Sequence, residues 1–284
     1  MTRTISLFTA LILLLSACAN DRASRYTTVN SNVGYGSVAG LGFANADDRL
    51  VYGDANPDLQ YGLLWLPGKL TAGERAPLVI LIHGGCWLNE FDIQHSFPLS
   101  TALAEAGYGV WSLEYRRTGD PGGGWPGSFE DIKQGIAFTS RLDKYPLDLD
   151  HIVIAGHSAG GHLALLAGAE FQNVDGVVGL AAITDIIEYS RGQNSCQTAT
   201  IDFMGGKFET NPAAYHAANP VEKSLHDQTI LLQGDIDAIV PLKQAQVAGT
   251  TTKVVEGAGH FDWIHPGTEA YQLLLSTLGD MFQK

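Results

Sequence analysis

Positive charge is scarce in this sequence: 17 Lys and Arg stand against 30 Asp and Glu, giving a formal net charge of -13. A surface that acidic repels phosphate, and no basic stripe offsets it, so nucleic acid is excluded as a partner. Cysteine is scarcer still. The three present, Cys18, Cys86 and Cys196, form no paired metal-ligand spacing, and no His-Glu-x-x-His run occurs. A catalytic metal is therefore not expected. Apolar runs long enough to span a bilayer are missing as well. With 45% hydrophobic and 17% charged residues, the composition is that of a globular enzyme and far from disordered or membrane-spanning chains.

What is present begins with a processing signal. Arg3 is followed by the apolar run Leu11-Ile12-Leu13-Leu14-Leu15 and then by Ser16-Ala17-Cys18. The charged start, short apolar stretch and small residues give residues 1–17 the form of a secretory signal peptide. Leu15-Ser16-Ala17-Cys18 also resembles the lipobox of bacterial lipoproteins, whose Cys becomes the lipidated first residue of the mature chain. That resemblance implies a membrane attachment through a lipid on Cys18, in a bacterial cell envelope. An Asp after the Cys would have resembled an inner-membrane retention signal; Ala19 stands there instead and points to the outer membrane. If Cys18 carries lipid, Cys86 and Cys196 remain in an oxidising compartment, either as a disulfide or as two separate thiols.

Residues 18–45 are polar and spotted with glycine, and read as a tether that reaches rather than folds. Such a segment would hold a domain roughly 25 to 30 Å from its anchor. The remaining residues, 46–284, fit one domain. Short β-branched or aromatic runs alternate there with longer amphipathic segments, the pattern of strand–helix units around a largely parallel sheet. Strands are expected at 61–66, 77–83, 108–114, 151–155, 176–181, 229–233 and 252–256. Val79-Ile80-Leu81-Ile82 and Ile152-Val153-Ile154-Ala155 are continuous apolar runs, which places them at the sheet centre. Helices are expected at 97–106, 128–142, 159–170, 242–248 and 268–282, the second opened by a capping-box-like Ser128 with Asp131. The stretch 185–220, with Gly192, Gly205, Gly206, Pro212 and Pro220, reads as an irregular excursion forming a small cap.

Gly156-His157-Ser158-Ala159-Gly160 stands after one buried run and before a helix rich in small residues. A nucleophile elbow needs that order of strand, sharp turn and helix, with small residues two before and two after the serine so that the backbone can pass. Ser158 is the expected nucleophile, and the helix N-terminus behind it favours negative charge. His83-Gly84-Gly85-Cys86-Trp87 ends the other buried run. The N–H groups of Gly84, Gly85 or Cys86 could there meet a tetrahedral oxyanion together with that of Ala159. Among nine histidines, His260 is the best general base, on a glycine-flanked loop after a strand. His157 diverges from its neighbour Ser158 and reads as structural or substrate-facing, His162 as a packed core residue, and His265, before a proline, as the weaker base.

On these motifs the chain resembles the α/β-hydrolase superfamily, and within it bacterial carboxylesterases and kynurenine-formamidase-like enzymes carrying H-G-G-x-W. Trp87 matches that motif's tryptophan and is expected, with His157, to face substrate, while Cys86 fills its variable position. Asp235 and Asp237 lie on one loop, and spacing does not choose between them. Asp237-Ala238-Ile239-Val240-Pro241 resembles the D-x-x-V-P run in which the family carries its acid, which implies Asp237. The resemblance implies an α/β-hydrolase fold, helices on both faces of the sheet, and a cofactor-free Ser158–His260–Asp237 mechanism acting on a small-molecule ester. An arylformamidase acting on an amide is the enzymatic alternative. A catalytically silent binding protein on the same fold is the alternative of another class.

Overall fold

The computed structural model of the protein describes residues 25–283. Cys18 and the signal segment lie outside the described residues. Eight strands form one sheet: β1 (Asp48–Val51), β2 (Tyr61–Trp65), β3 (Ala76–Ile82), β4 (Gly109–Leu113), β5 (Leu147–His157), β6 (Gly176–Leu180), β7 (Thr229–Gly234) and β8 (Thr251–Val255). Their order is β1-β2-β4-β3-β5-β6-β7-β8. The pairs β1–β2 and β2–β4 are antiparallel, and β4, β3 and β5 to β8 run parallel.

Alternation along β3 shows why the centre of the sheet is apolar on both sides. Leu78, Ile80 and Ile82 belong to one buried layer with Phe129, Ile132 and Leu163. Val79 and Leu81 belong to the other, with Leu99, Leu103, Leu274 and Leu278. The covering helices are α2 (Phe97–Glu105), α3 (Gly127–Ala137), α4 (Ala159–Glu170) and α8 (Glu269–Phe282). Every residue of α4 from Ala159 to Gly168 is buried, so that helix has no polar face to show.

Four expectations change. The segment read as a tether packs on the domain from Arg25 onward. It carries a short helix, α1 (Tyr35–Ala39), and buries Tyr26 and Val38. Its backbone is held by the Asp262 carboxylate, which accepts from Asn32 N at 2.8 Å and Val33 N at 3.2 Å. A polar stretch folds here because a buried acid elsewhere supplies the partners its amides need. The capping box at Ser128 does not form. Ser128 Oγ donates to the Arg116 carbonyl at 2.6 Å, and the Asp131 carboxylate takes Arg116 and Gln60 instead. The helix expected at 242–248 is one 3₁₀ turn, Leu242–Ala245. Strand β1, an exposed edge with every second residue half-buried, was not expected.

The 185–220 excursion contains α5 (Ile186–Tyr189), α6 (Ser195–Phe203) and α7 (Pro212–Ala217). A capping box between Asn194 and Gln197 starts α6. Asn194 Nδ2 also donates to the Ile239 carbonyl at 2.9 Å, which ties the excursion to the loop after β7.

Candidate active site

Ser158 sits between β5 and α4 with φ 55° and ψ -119°, a left-handed backbone that side chains rarely adopt and that turns the chain sharply. The glycines on either side are required by contact. A Cβ at Gly156 would lie 2.2 Å from the Gly160 carbonyl oxygen, and one at Gly160 would lie 2.2 Å from that of Ile82. Ser158 N donates to the Leu180 carbonyl at 2.8 Å, fixing the turn to β6. Its Oγ is buried and has no hydrogen-bond partner among the described residues.

His260 stands on the loop after β8, and its Nδ1 donates to Asp237 Oδ2 at 2.8 Å. Asp237 Oδ1 accepts from Ile239 N at 2.8 Å and Val240 N at 2.9 Å, and Gln233 Nε2 reaches Oδ2 at 3.2 Å. The carboxylate is thus oriented on both oxygens. Asp235 does something else: exposed, it accepts from Gly257 N at 2.7 Å and braces the two loops. Asp262, the third nearby acid, holds Gly259 N at 3.0 Å as well as the N-terminal segment. His157 donates through Nε2 to the His260 carbonyl at 2.9 Å, and the two rings lie 4.6 Å apart.

The loop after β3 is shaped from behind. His83 Nδ1 donates to the Gly84 carbonyl at 2.8 Å and Nε2 to Glu114 Oε1 at 2.9 Å. Burial alone would raise the Glu114 carboxyl, but the His83 ring and Arg117 outweigh it and hold the group below its usual range. With the Gly84 carbonyl turned to His83, the N–H of Gly85 across the same trans peptide points the other way. Gly84 itself approaches the elbow so closely that a Cβ would meet the His157 carbonyl oxygen at 2.8 Å. Cys86 and Trp87 continue with φ 53° and 58°. That backbone turns the indole under the loop, where Trp87 stacks on Phe203 at 4.6 Å and is fully buried. Trp87 therefore does not face substrate, contrary to the reading of its motif. Cys86 and Cys196 are joined in a disulfide, Cα to Cα 5.0 Å, which links this loop to α6.

A cavity of about 360 Å³ opens over Ser158 and is lined by His157, His260, Gly85 and the Cys86–Cys196 pair. None of the sequence motifs marks Tyr35, Glu90, Phe91 or His95, which line it together with Phe261. Tyr35 opens α1, Glu90, Phe91 and His95 follow β3, and Phe261 stands after β8. Burial pushes His95 down to about 3, helped by the nearby His83, and holds His157 well below the usual imidazole value, with His260 beside it adding to the effect. Both rings are neutral at pH 7. A smaller hollow of about 230 Å³ beside Ile136, Phe171 and Val174 has Glu170 as its single titratable group and offers no nucleophile–base pair.

The mostly parallel sheet, helices on both faces and a serine at the strand-to-helix turn define the α/β-hydrolase fold. The chain belongs to the BD-FAE family, whose model matches residues 64–251. It is 28% identical over 201 residues to esterase LipQ of Mycobacterium tuberculosis (strain ATCC 25618 / H37Rv), covering 64% of this chain and 47% of that protein. With esterase LipC of the same organism it shares 27% over 220 residues, covering 70% and 53%. The chain thus spans about half the length of the curated relatives it matches. Among solved structures, esterase B from Lactobacillus rhamnosis (HN001) superposes with a TM-score of 0.71 at 22% identity, covering 85% of this chain and 89% of that one. A truncated carbohydrate esterase from gut microbiota gives 0.71 at 22%, covering 86% and 100%. These structural likenesses speak for the fold.

Proposed function

We propose that the protein is a serine esterase, cleaving carboxylic esters through an acyl-enzyme formed on Ser158. The observation that carries this reading is the Asp237–His260 hydrogen bond, with His260 lining the same cavity as the elbow serine. Ser158 Oγ attacks the ester carbonyl carbon while His260 Nε2 takes its proton. Asp237 keeps the proton on Nδ1, which fixes the tautomer and stabilises the imidazolium. The oxyanion is met by the N–H groups of Gly85, Cys86 and Ala159. His260 then returns the proton to the departing alkoxide, and water repeats the cycle to release the acid. The Ser158 hydroxyl, unpartnered in the free enzyme, gains its bond to His260 as substrate enters.

The esterase relatives support an ester as the substrate. The arylformamidase alternative requires a partner for the carboxylate of N-formylkynurenine, and neither Lys nor Arg lines the cavity. A silent binding protein would have no use for an acid held by two amides against a buried histidine. Ser158→Ala should abolish hydrolysis of p-nitrophenyl esters and labelling by a fluorophosphonate probe, with the fold unchanged. Substantial turnover by the folded variant would overturn the assignment.

The N-terminal sequence adds a location to the proposal: a lipid on Cys18 anchoring the enzyme in the bacterial outer membrane. Six residues, 19–24, separate Cys18 from Arg25, where the packed segment begins, far fewer than the tether its composition suggested. Mass spectrometry of the mature N-terminus tests this, and an unmodified Cys18 in cells able to lipidate would refute it.

A further inference from the structure

We propose that the cavity selects its substrate by charge, and that Tyr35 and Glu90 make its alcohol side a site for the ammonium group of an amino-alcohol ester. This rests on the esterase reading and names the substrate class within it. The leaving oxygen must take its proton from His260, so the alcohol portion lies on the His260 side of the cavity. That side is aromatic. Phe261 follows the base directly, its ring 5.1 Å from the imidazole. Tyr35 stands edge-on to Phe261 at 5.7 Å and to Phe91 at 5.9 Å, and remains 39% exposed.

Arg117, behind the wall, donates to the Phe91 carbonyl at 3.0 Å and is paired with Glu114 and Asp120, so its charge is already answered. Glu90, next to Phe91 in the chain, lines the cavity and is exposed, and its carboxylate has no ion pair or hydrogen bond among the described residues. Asp92 lies close enough to Tyr35 to add to the effect of burial in raising its phenol. No Lys or Arg lines the cavity, and His95 and His157 are neutral at pH 7. Ring faces carry negative quadrupole charge, so an aromatic wall with an unpaired carboxylate at its rim suits a quaternary or protonated amine. An anionic substrate would meet only repulsion there. Tyr35 and Phe261 lie outside residues 64–251, the region matched by the family, while Glu90 and Phe91 lie inside it.

Steady-state kinetics of the mature protein on three butyrate esters tests the proposal: butyrylcholine, its uncharged isostere 3,3-dimethylbutyl butyrate, and the anionic butyryl ester of 3-hydroxypropanoate. At low salt, kcat/KM should favour the choline ester over the neutral one by about fivefold or more, and the anionic ester should be the poorest. The preference should shrink as salt is raised. Glu90→Gln should lower the cationic-to-neutral ratio by about threefold. Tyr35→Leu should lower that ratio similarly, and Tyr35→Phe should keep it, since the ring face is what binds. An active wild-type enzyme that takes the neutral isostere as well as the choline ester would overturn the proposal. So would a ratio untouched by both Glu90→Gln and Tyr35→Leu. A protein that hydrolyses no ester and escapes the fluorophosphonate probe would instead remove the esterase reading, and this one with it.

Discussion

Asp237 Oδ2 lies 2.8 Å from His260 Nδ1, although 23 residues separate the two in the chain. Asp237→Asn keeps the size of the side chain but leaves an amide facing the ring, which favours the wrong tautomer. We expect kcat to fall by on the order of 10⁴ with little change in thermal midpoint. Asp235→Asn touches an exposed bond to Gly257 N, so it should cost at most about 1 kcal/mol and leave kcat nearly unchanged. Measuring kcat and thermal midpoint of both variants side by side checks the assignment. The opposite pattern would move the triad acid to Asp235.

Asp262 is fully buried and accepts from Asn32, Val33 and Gly259 amides. Asp262→Asn presents an NH₂ group or one oxygen to donors that need two, so we expect a loss of about 2 to 4 kcal/mol. For a domain of this size the thermal midpoint should drop by roughly 5 to 12 °C. Because the same carboxylate holds the histidine loop and the segment bearing Tyr35, proteolysis near residue 32 should become faster.

The Cys86–Cys196 bridge closes a chain separation of 110 residues and joins the loop after β3 to α6. Replacing both cysteines with serine should destabilise the protein by about 2 to 4 kcal/mol through the freed unfolded chain. It should also lower kcat more than it raises KM, since the loop that meets the transition state is the part released. In denatured, unreduced protein, thiol titration should find neither Cys86 nor Cys196 free.

Three buried histidines make stability sensitive to acid. Burial holds His162 at about 4 and His95 at about 3, with His157 also well below the unfolded value near 6.5. The unfolded chain takes up protons that these rings refuse. Their contribution is therefore complete above pH 6.5 and is lost as pH falls through 6.5 towards 4 for His162 and towards 3 for His95. Thermal midpoints at pH 8, 6 and 5 should show the decline. His162→Phe, which removes one such ring along with its bond to the Ala218 carbonyl, should begin lower at pH 8 and fall less steeply.

Local pattern by itself determined the strand–helix alternation, the central apolar strands, the turn at Ser158 and the loop position of His260, because each depends on spacing within a few residues, whereas only the family resemblance favoured Asp237 over Asp235. Apolar periodicity marks buried elements wherever they lie, and small residues around a serine mark a turn that only they permit. Tertiary structure decided the rest. Whether a polar stretch such as 25–45 folds depends on an acid more than two hundred residues away, and Ser128 and Asp131 abandon a local cap for better partners on other elements. Trp87 illustrates the same limit: two left-handed residues send its side chain beneath the loop, and no motif encodes that direction. The cavity wall of Tyr35, Glu90, Phe91 and Phe261 exists only where α1 meets the loops after β3 and β8, so its chemistry belongs to no single stretch of sequence.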